Sequence, residues 1–212
     1  MDRLDLYLIR HAPTISPKGI VPPADPDADL SNQTAFRQLA GNLPASAMWW
    51  VSPLKRCQMT AETLLQSGAS AAQVTPDQRL TEQDYGDFHG RPVAEVWDEI
   101  KDGPKSNWHF LHPAFCPPGG ESFLMLYDRT RAVLQSIEAS ATSDLVIVGH
   151  GMMFRTLIAH ALDLPPEQAL AFGISPLSLS RLTLIRTGAS PDHGNGGRWS
   201  LTTLNQTFRS DM

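Results

Sequence analysis

Leu145-Val146-Ile147-Val148-Gly149-His150-Gly151 is the stretch on which the fold turns. An unbroken, largely β-branched aliphatic run leaves no polar face, which is the pattern of a parallel strand covered on both sides. Working outward, Leu4-Asp5-Leu6-Tyr7-Leu8-Ile9 and Met48-Trp49-Trp50-Val51 read as two further strands, and residues 178–187 and 199–207 as two late ones. Between them, residues 34–43, 60–66, 93–101, 122–139 and 152–162 carry helical patterns. In the longest, Phe123, Tyr127, Thr130, Leu134 and Ile137 recur at helical spacing and define one face. Strands alternating with helices predict a three-layer α/β/α architecture around a largely parallel central sheet. Gly188, Gly194, Gly196 and Gly197 predict a mobile loop between the last two strands.

The chain has 212 residues, 42% of them hydrophobic, enough for a sizeable core without a disulfide or metal staple. No repeat or low-complexity linker divides it, so one domain over residues 1–212 is expected. Pro13, Pro17, Pro22, Pro23 and Pro26 make the segment after residue 10 an irregular loop, because proline donates no backbone hydrogen bond. Cys57 and Cys116 are too few for a disulfide framework and read as free thiols of a reducing compartment. The charged start Met1-Asp2-Arg3-Leu4-Asp5 and the lack of any apolar run of about 18 residues argue against export or membrane insertion. A cytoplasmic protein is therefore expected. A net charge of −5 disfavours a general nucleic-acid binder, which needs a clustered basic face. Yet 13 of the 17 basic residues are arginine, the side chain suited to a planar grip on phosphate or carboxylate.

Three of the expected strands run into cations or imidazoles at their carboxyl ends. Ile9 leads to Arg10-His11, Val51 to Ser52-Pro53-Leu54-Lys55-Arg56, and Val148 to Gly149-His150-Gly151. In an open α/β sheet, ligands bind in the crevice beyond those ends. Either dipeptide alone is common in random sequence; the joint placement carries the signal.

Leu8-Ile9-Arg10-His11-Ala12-Pro13-Thr14 resembles the Arg-His-Gly-x-Thr opening of the histidine phosphatase superfamily, phosphoglycerate-mutase-like branch. Ser52-Pro53-Leu54-Lys55-Arg56-Cys57-Gln58-Met59-Thr60-Ala61 is similar to its Ser-x-Leu-x-Arg-x-x-x-Thr-Ala segment. Leu80-Thr81-Glu82-Gln83-Asp84-Tyr85-Gly86-Asp87-Phe88-His89-Gly90 resembles its Leu-x-Glu-x-x-x-Gly-x-x-x-Gly stretch. Pro118-Gly119-Gly120-Glu121-Ser122, close to the α-ribazole-phosphatase and broad-specificity type, and Gly149-His150-Gly151 complete the series in family order.

The resemblance implies a phosphatase that uses His11 as nucleophile and Glu82 as general acid and base. Arg10 and Arg56 would grip the phosphoryl oxygens, with His150, Thr14 and the Gly151 N–H as further donors. Physical chemistry agrees, since a neutral imidazole approaches a phosphate dianion without the repulsion a carboxylate meets. The arginines supply positive charge, so no metal and no cofactor is expected. The expected partner is a small phosphomonoester, with neither nucleic acid nor membrane; oligomeric state has no signature in the chain.

The family's usual glycine is replaced by Ala12 and its usual asparagine by Pro17, so residues 15–29 are expected to be rebuilt. Residues 102–118, with Trp108, His109, Phe110, His112 and Phe115, are expected to form a cap-like insertion over the site. Their aromatic content suits a ring-bearing leaving group or simple packing. His109 and His112 could share a helical face, but no third ligand accompanies them. His89, His160 and His193 read as structural or exposed. A mutase needs extra basic residues at the cap; only Lys101 and Lys105 are near, which favours hydrolysis, and a non-catalytic phospho-ligand binding module would lack at least one of His11, Arg56, Glu82 and His150, all of which are present.

Overall fold

The computed structural model describes residues 3–141, 143–185 and 198–208. In chain order these form β1 (Arg3–Arg10), α1 (Gln33–Ala40), β2 (Ala47–Val51), α2 (Lys55–Gln66), β3 (Ala71–Pro76), α3 (Val93–Ile100), α4 (Phe123–Ser140), β4 (Leu145–Gly149), α5 (Gly151–Ala161), α6 (Pro166–Ala169), β5 (Ser178–Ile185) and β6 (Trp199–Thr207). One six-stranded sheet runs in the order β3-β2-β4-β1-β5-β6. The first four strands of that order are mutually parallel, while β5 pairs antiparallel with β1 and β6 antiparallel with β5.

The apolar run that opened the reading is β4, and all five of its residues are buried. Its side chains alternate between two cores, as a period of two requires. Leu6, Leu8, Leu145 and Ile147 pack with Val133 and Ile137 of α4 and with Phe154, Leu157 and Ile158 of α5. Tyr7, Ile9, Val146, Val148 and Trp49 face the other side, against Phe36 and Leu39 of α1 and Leu64 of α2. Each such fully buried side chain contributes roughly 1.5–3 kcal/mol of transfer free energy. Asp5 interrupts the apolar pattern of β1 and is matched by Arg181 and Thr183 of the neighbouring β5.

Helix starts follow from local chemistry. Ser122 Oγ accepts from Met125 N–H at 3.1 Å and Asn32 Oδ1 from Ala35 N–H at 3.1 Å, satisfying donors that a first turn leaves over. On α4 the expected face holds, with Phe123, Thr130, Leu134 and Ile137 buried.

Three elements differ from expectation. Helix α2 begins at Lys55, five residues before the predicted start at Thr60, because Arg56 and Cys57 are buried in a first turn whose composition hides its inward face. Strand β3 and the four-residue α6 carry no clear apolar pattern; β3 is mostly exposed and is held by pairing with β2. The proposed loop at 188–197 lies outside the described residues.

The Pro-rich segment is tied down by backbone bonds rather than packed as a regular element. Thr14 bridges Ala28 and Ile20 bridges Pro92; Val21 N–H donates to Arg91 O at 2.8 Å, and Val93 N–H to Gly19 O at 2.8 Å. A third small core of Val21, Phe88, Val96 and Leu111, with Phe110 and Phe115 against it, joins this segment to α3 and to residues 110–115. Among the described residues, no helix is long and apolar enough to cross a membrane.

Register places the site. Arg10 is opposite Gly149 and Val51 opposite Val148, so β1, β4 and β2 end side by side. The residues that follow, His11, His150 and Ser52, emerge from adjacent positions at one edge of the sheet.

Candidate active site

A pocket of about 540 Å³ opens beyond those strand ends, and Arg10, His11, Thr14, Arg56, Glu82 and Gly151 all line it. Four segments distant in sequence thus converge there. His150 is placed differently: it is fully buried, stands edge-on behind His11 with ring centroids 5.2 Å apart, and is not part of the pocket wall. Its Nε2 lies 2.7 Å from Ser52 Oγ and 3.4 Å from Cys57 Sγ.

His11 is held by its own backbone. Its N–H donates to Gly149 O at 2.9 Å, and its Nδ1 lies 2.7 Å from Ala12 O. A carbonyl only accepts, so Nδ1 carries the proton and Nε2 keeps its lone pair. Burial pushes the His11 pKa down to about 3, partly opposed by the bond to Ala12 and reinforced by Arg56 and Arg10. Burial, with the same two arginines and His11, drives His150 downward as well. Both imidazoles are neutral at physiological pH. Ala12 itself is buried, and its N–H donates to Thr60 Oγ1 at 3.0 Å, while Thr60 Oγ1 donates to Arg56 O at 2.6 Å. That chain fixes the loop after β1 to the first turns of α2.

The arginines are oriented by carbonyls. Arg10 Nη1 donates to Ile174 O at 2.5 Å, and Arg56 Nη1 to Ala24 O at 3.0 Å with Asp25 3.7 Å away. The carbonyl of Ile174 aims the Arg10 guanidinium without cancelling its charge, while Asp25 offsets part of the charge of Arg56. Arg10 Nε is buried without a partner in the protein. Gly151 explains how Arg10 fits: a Cβ there would sit 3.3 Å from the Arg10 Cζ and Nε.

Glu82 lies across the start of α5. Its Oε2 accepts from Met152 N–H at 3.2 Å and its Oε1 from Met153 N–H at 3.1 Å and Gln83 N–H at 3.1 Å. A carboxylate at a helix N-terminus meets both unpaired donors and the positive end of the dipole. The segment beneath it is clamped by Arg129 of α4, which donates to the carbonyls of Arg79, Thr81 and Glu82 and pairs with Glu121.

The pocket wall also includes Tyr85, His89, His109 and Arg155, which the motifs did not single out for it. His89 has the structural role expected of it, with Nδ1 2.7 Å from Pro22 O and Nε2 3.0 Å from Asp84, yet it also forms pocket wall. Of the aromatic segment at 102–118, only His109 reaches the pocket; Trp108 is 60% exposed, and Phe110 and Phe115 pack on the third core. That segment is built of turns, so His109 and His112 do not share a helical face. His160 is structural, its Nε2 2.6 Å from Tyr127 O, and His193 lies outside the described residues. Among the described residues, no group of three or more His, Cys, Asp or Glu is arranged to hold a metal ion.

Sheet order and pocket chemistry together define an α/β protein with an anion-adapted crevice at the carboxyl edge of its parallel strands. The chain belongs to the histidine phosphatase superfamily (branch 1), whose family model matches residues 6–195. It is 27% identical over 214 residues to a Yersinia enterocolitica protein named "Probable phosphoglycerate mutase GpmB", covering 99% of this chain and 96% of that one. It is also 27% identical over 207 residues to a Hydrogenobacter thermophilus protein named "Putative phosphoserine phosphatase 2", covering 95% of each. Among solved structures, the mycobacterial glucosyl-3-phosphoglycerate phosphatase shares the fold with a TM-score of 0.77 at 24% identity, over 97% of this chain and 100% of that one. Phosphatases and mutases therefore both stand among the proteins it resembles.

Proposed function

We propose that the protein is a cytoplasmic, metal-independent phosphomonoesterase that works through a phosphohistidine. The observation that carries this reading is His11: a neutral imidazole with its proton held on Nδ1 by Ala12, leaving Nε2 free in a pocket lined by arginines.

In the proposed reaction, His11 Nε2 attacks phosphorus and the P–O bond to the leaving group breaks. The departing oxygen takes a proton from Glu82. Water then attacks phosphorus, gives its proton to Glu82, and inorganic phosphate leaves as the P–N bond breaks. Arg10 and Arg56 stabilise the charge on the phosphoryl oxygens at both steps. Thr14 Oγ1 and the Gly151 N–H are additional donors, Gly151 being the first residue of α5, whose next two N–H groups hold Glu82. His150, buried behind His11 with its Nε2 2.7 Å from Ser52 Oγ, packs edge-on against the nucleophile's ring and supports its position.

Hydrolysis is favoured over mutase chemistry because the segment at 102–118 contributes no cation to the pocket. Lys101 and Lys105 are exposed and outside the wall. The test is phosphate release from phenyl phosphate in EDTA, with wild type and His11→Ala. Wild type should turn over and His11→Ala should not. Undiminished turnover by the variant would overturn the mechanism, strict dependence on added metal would overturn its metal independence, and isomerisation of 3-phosphoglycerate without phosphate release would make the protein a mutase.

A further inference from the structure

Among the described residues, the Arg10 side chain has one hydrogen-bond partner, Ile174 O, which accepts from Nη1 at 2.5 Å. Residues 172–175, between α6 and β5, form no regular structure. No sheet ladder or helix turn therefore holds the Ile174 carbonyl, and its direction is set by whatever grips the same peptide. That peptide carries the Ser175 N–H on its opposite edge, because a trans peptide is planar with C=O and N–H pointing opposite ways. The Ser175 N–H donates to Asn205 Oδ1 at 2.6 Å. Asn205 of β6 thus grips one edge of a rigid plate whose other edge points at Arg10. Each bond also polarises the peptide in the sense that strengthens the other.

The backbone at Asn205 is shaped for this contact. Pairing passes from Gln206 opposite Leu179 to Thr203 opposite Arg181, so β6 carries an extra residue and bulges there. Asn205 sits in the bulge with φ of 54°, a left-handed conformation that asparagine enters more readily than most residues. Its own N–H donates to Ser180 Oγ at 3.0 Å, so the bulge leaves that donor satisfied. An N–H needs an acceptor, which places the amide oxygen of Asn205, and not its nitrogen, against Ser175.

The two ends of the stretch are anchored without Asn205. Leu177 N–H donates to Arg10 O and His11 O, both at 3.1 Å, and Phe172 O accepts from Arg155 Nε at 2.7 Å. The Ile174–Ser175 peptide between them is the part that Asn205 controls. Asn205 itself does not line the pocket.

We infer that Asn205 is a positioning residue that acts through the Ile174–Ser175 peptide to hold the Arg10 guanidinium in the direction that meets the phosphoryl oxygens. This deepens the phosphomonoesterase reading and rests on it.

The test uses Asn205→Gly, which accepts a positive φ without strain but deletes the acceptor, and Asn205→Asp, which keeps an acceptor. In Asn205→Gly, kcat/KM for phenyl phosphate should fall about tenfold or more while the melting temperature stays close to that of wild type. Asn205→Asp should retain most of the wild-type kcat/KM. Affinity for inorganic phosphate, measured by titration calorimetry, should weaken at least about threefold in Asn205→Gly. In an Arg10→Ala background, where the carbonyl has no guanidinium to aim, adding Asn205→Gly should change phosphate affinity by less than about twofold. Full activity in Asn205→Gly, or an Asn205→Asp variant as impaired as Asn205→Gly, overturns the proposal. So does a loss of phosphate affinity that persists in the Arg10→Ala background, because Asn205 would then act by another route. Loss of the fold in Asn205→Gly would make Asn205 a structural residue and overturn it too. Wild type that releases no phosphate from phenyl phosphate overturns the phosphomonoesterase reading instead, and the phosphate titrations then decide the role of Asn205 by themselves.

Discussion

The Nδ1 of His11 lies 2.7 Å from the carbonyl oxygen of Ala12, its neighbour in the chain. One short local contact thus selects the tautomer that a nucleophilic Nε2 needs, while burial and two arginines keep the ring uncharged. The same environment makes stability depend on pH. Between the ordinary histidine value of 6.5 and the folded value of about 3, the unfolded chain binds a proton that the folded chain refuses. The stabilisation from excluding that proton is complete above 6.5 and is lost as pH falls through this window, by up to about 1.4 kcal/mol per pH unit for each such histidine. His150 acts in the same direction. Urea unfolding midpoints between pH 7 and 4 should fall more steeply for wild type than for His11→Asn; equal slopes would contradict the buried neutral ring.

Glu82 offers a prediction that separates proton transfer from binding. Replacing it with Gln keeps an oxygen for the helix N–H groups but removes the transferable proton. With an alkyl phosphate, whose leaving oxygen needs that proton, kcat should fall by about 10²–10⁴-fold. With 4-nitrophenyl phosphate, whose leaving group departs as a stable anion, the phosphorylation step should fall far less. Stopped-flow bursts of nitrophenolate measure that step directly, and an equal loss on both substrates would remove Glu82 from the role of acid.

Most of the sheet was legible because its central strands are apolar without interruption, as at Leu145 to Val148, and no helical pattern competes there. Strand β3 was not, because at an exposed edge backbone pairing does the holding and side chains such as Gln73 and Thr75 carry little trace of it. The first turn of α2 was hidden for the opposite reason: Arg56 and Cys57 point inward, and a buried arginine defeats a hydrophobic count. Within the site, motif residues were readable because their spacing is tied to strand ends. Arg155 was not, since an arginine on a helix reads as a solvated face until the docking of that helix is known. Its four-residue spacing from Gly151 was the one available signal.

Gly151 is a position where bulk, and not charge, should control activity. A methyl group there would press on the Arg10 guanidinium at 3.3 Å, closer than most packed carbons sit. The α5 backbone would tolerate it, since alanine is a better helix former than glycine. Gly151→Ala should therefore keep or slightly raise the melting temperature while kcat/KM for phenyl phosphate drops by about tenfold. A thermal scan run beside the kinetics distinguishes this from general destabilisation, in which both would fall.

Arg129 stands away from the pocket yet controls the segment that bears Glu82. Its Nη1 donates to Arg79 O at 2.9 Å, its Nη2 to Thr81 O at 2.8 Å and Glu82 O at 3.2 Å, and its Nε to Glu121 Oε1 at 2.6 Å. Glu121 is the counter-charge, with only 14% of its side chain exposed. Arg129→Met removes donors from three carbonyls and also strands that carboxylate, so it should cost about 2–4 kcal/mol in chemical denaturation. In Arg129→Met with Glu121→Gln the stranded charge is gone, and part of the stability should return. Activity should not follow stability back, because the carbonyls of Thr81 and Glu82 stay untethered in both variants. The double variant should thus be the more stable of the two while kcat on an alkyl phosphate remains depressed. Recovery of kcat together with stability would mean that Arg129 serves the fold alone and does not position Glu82.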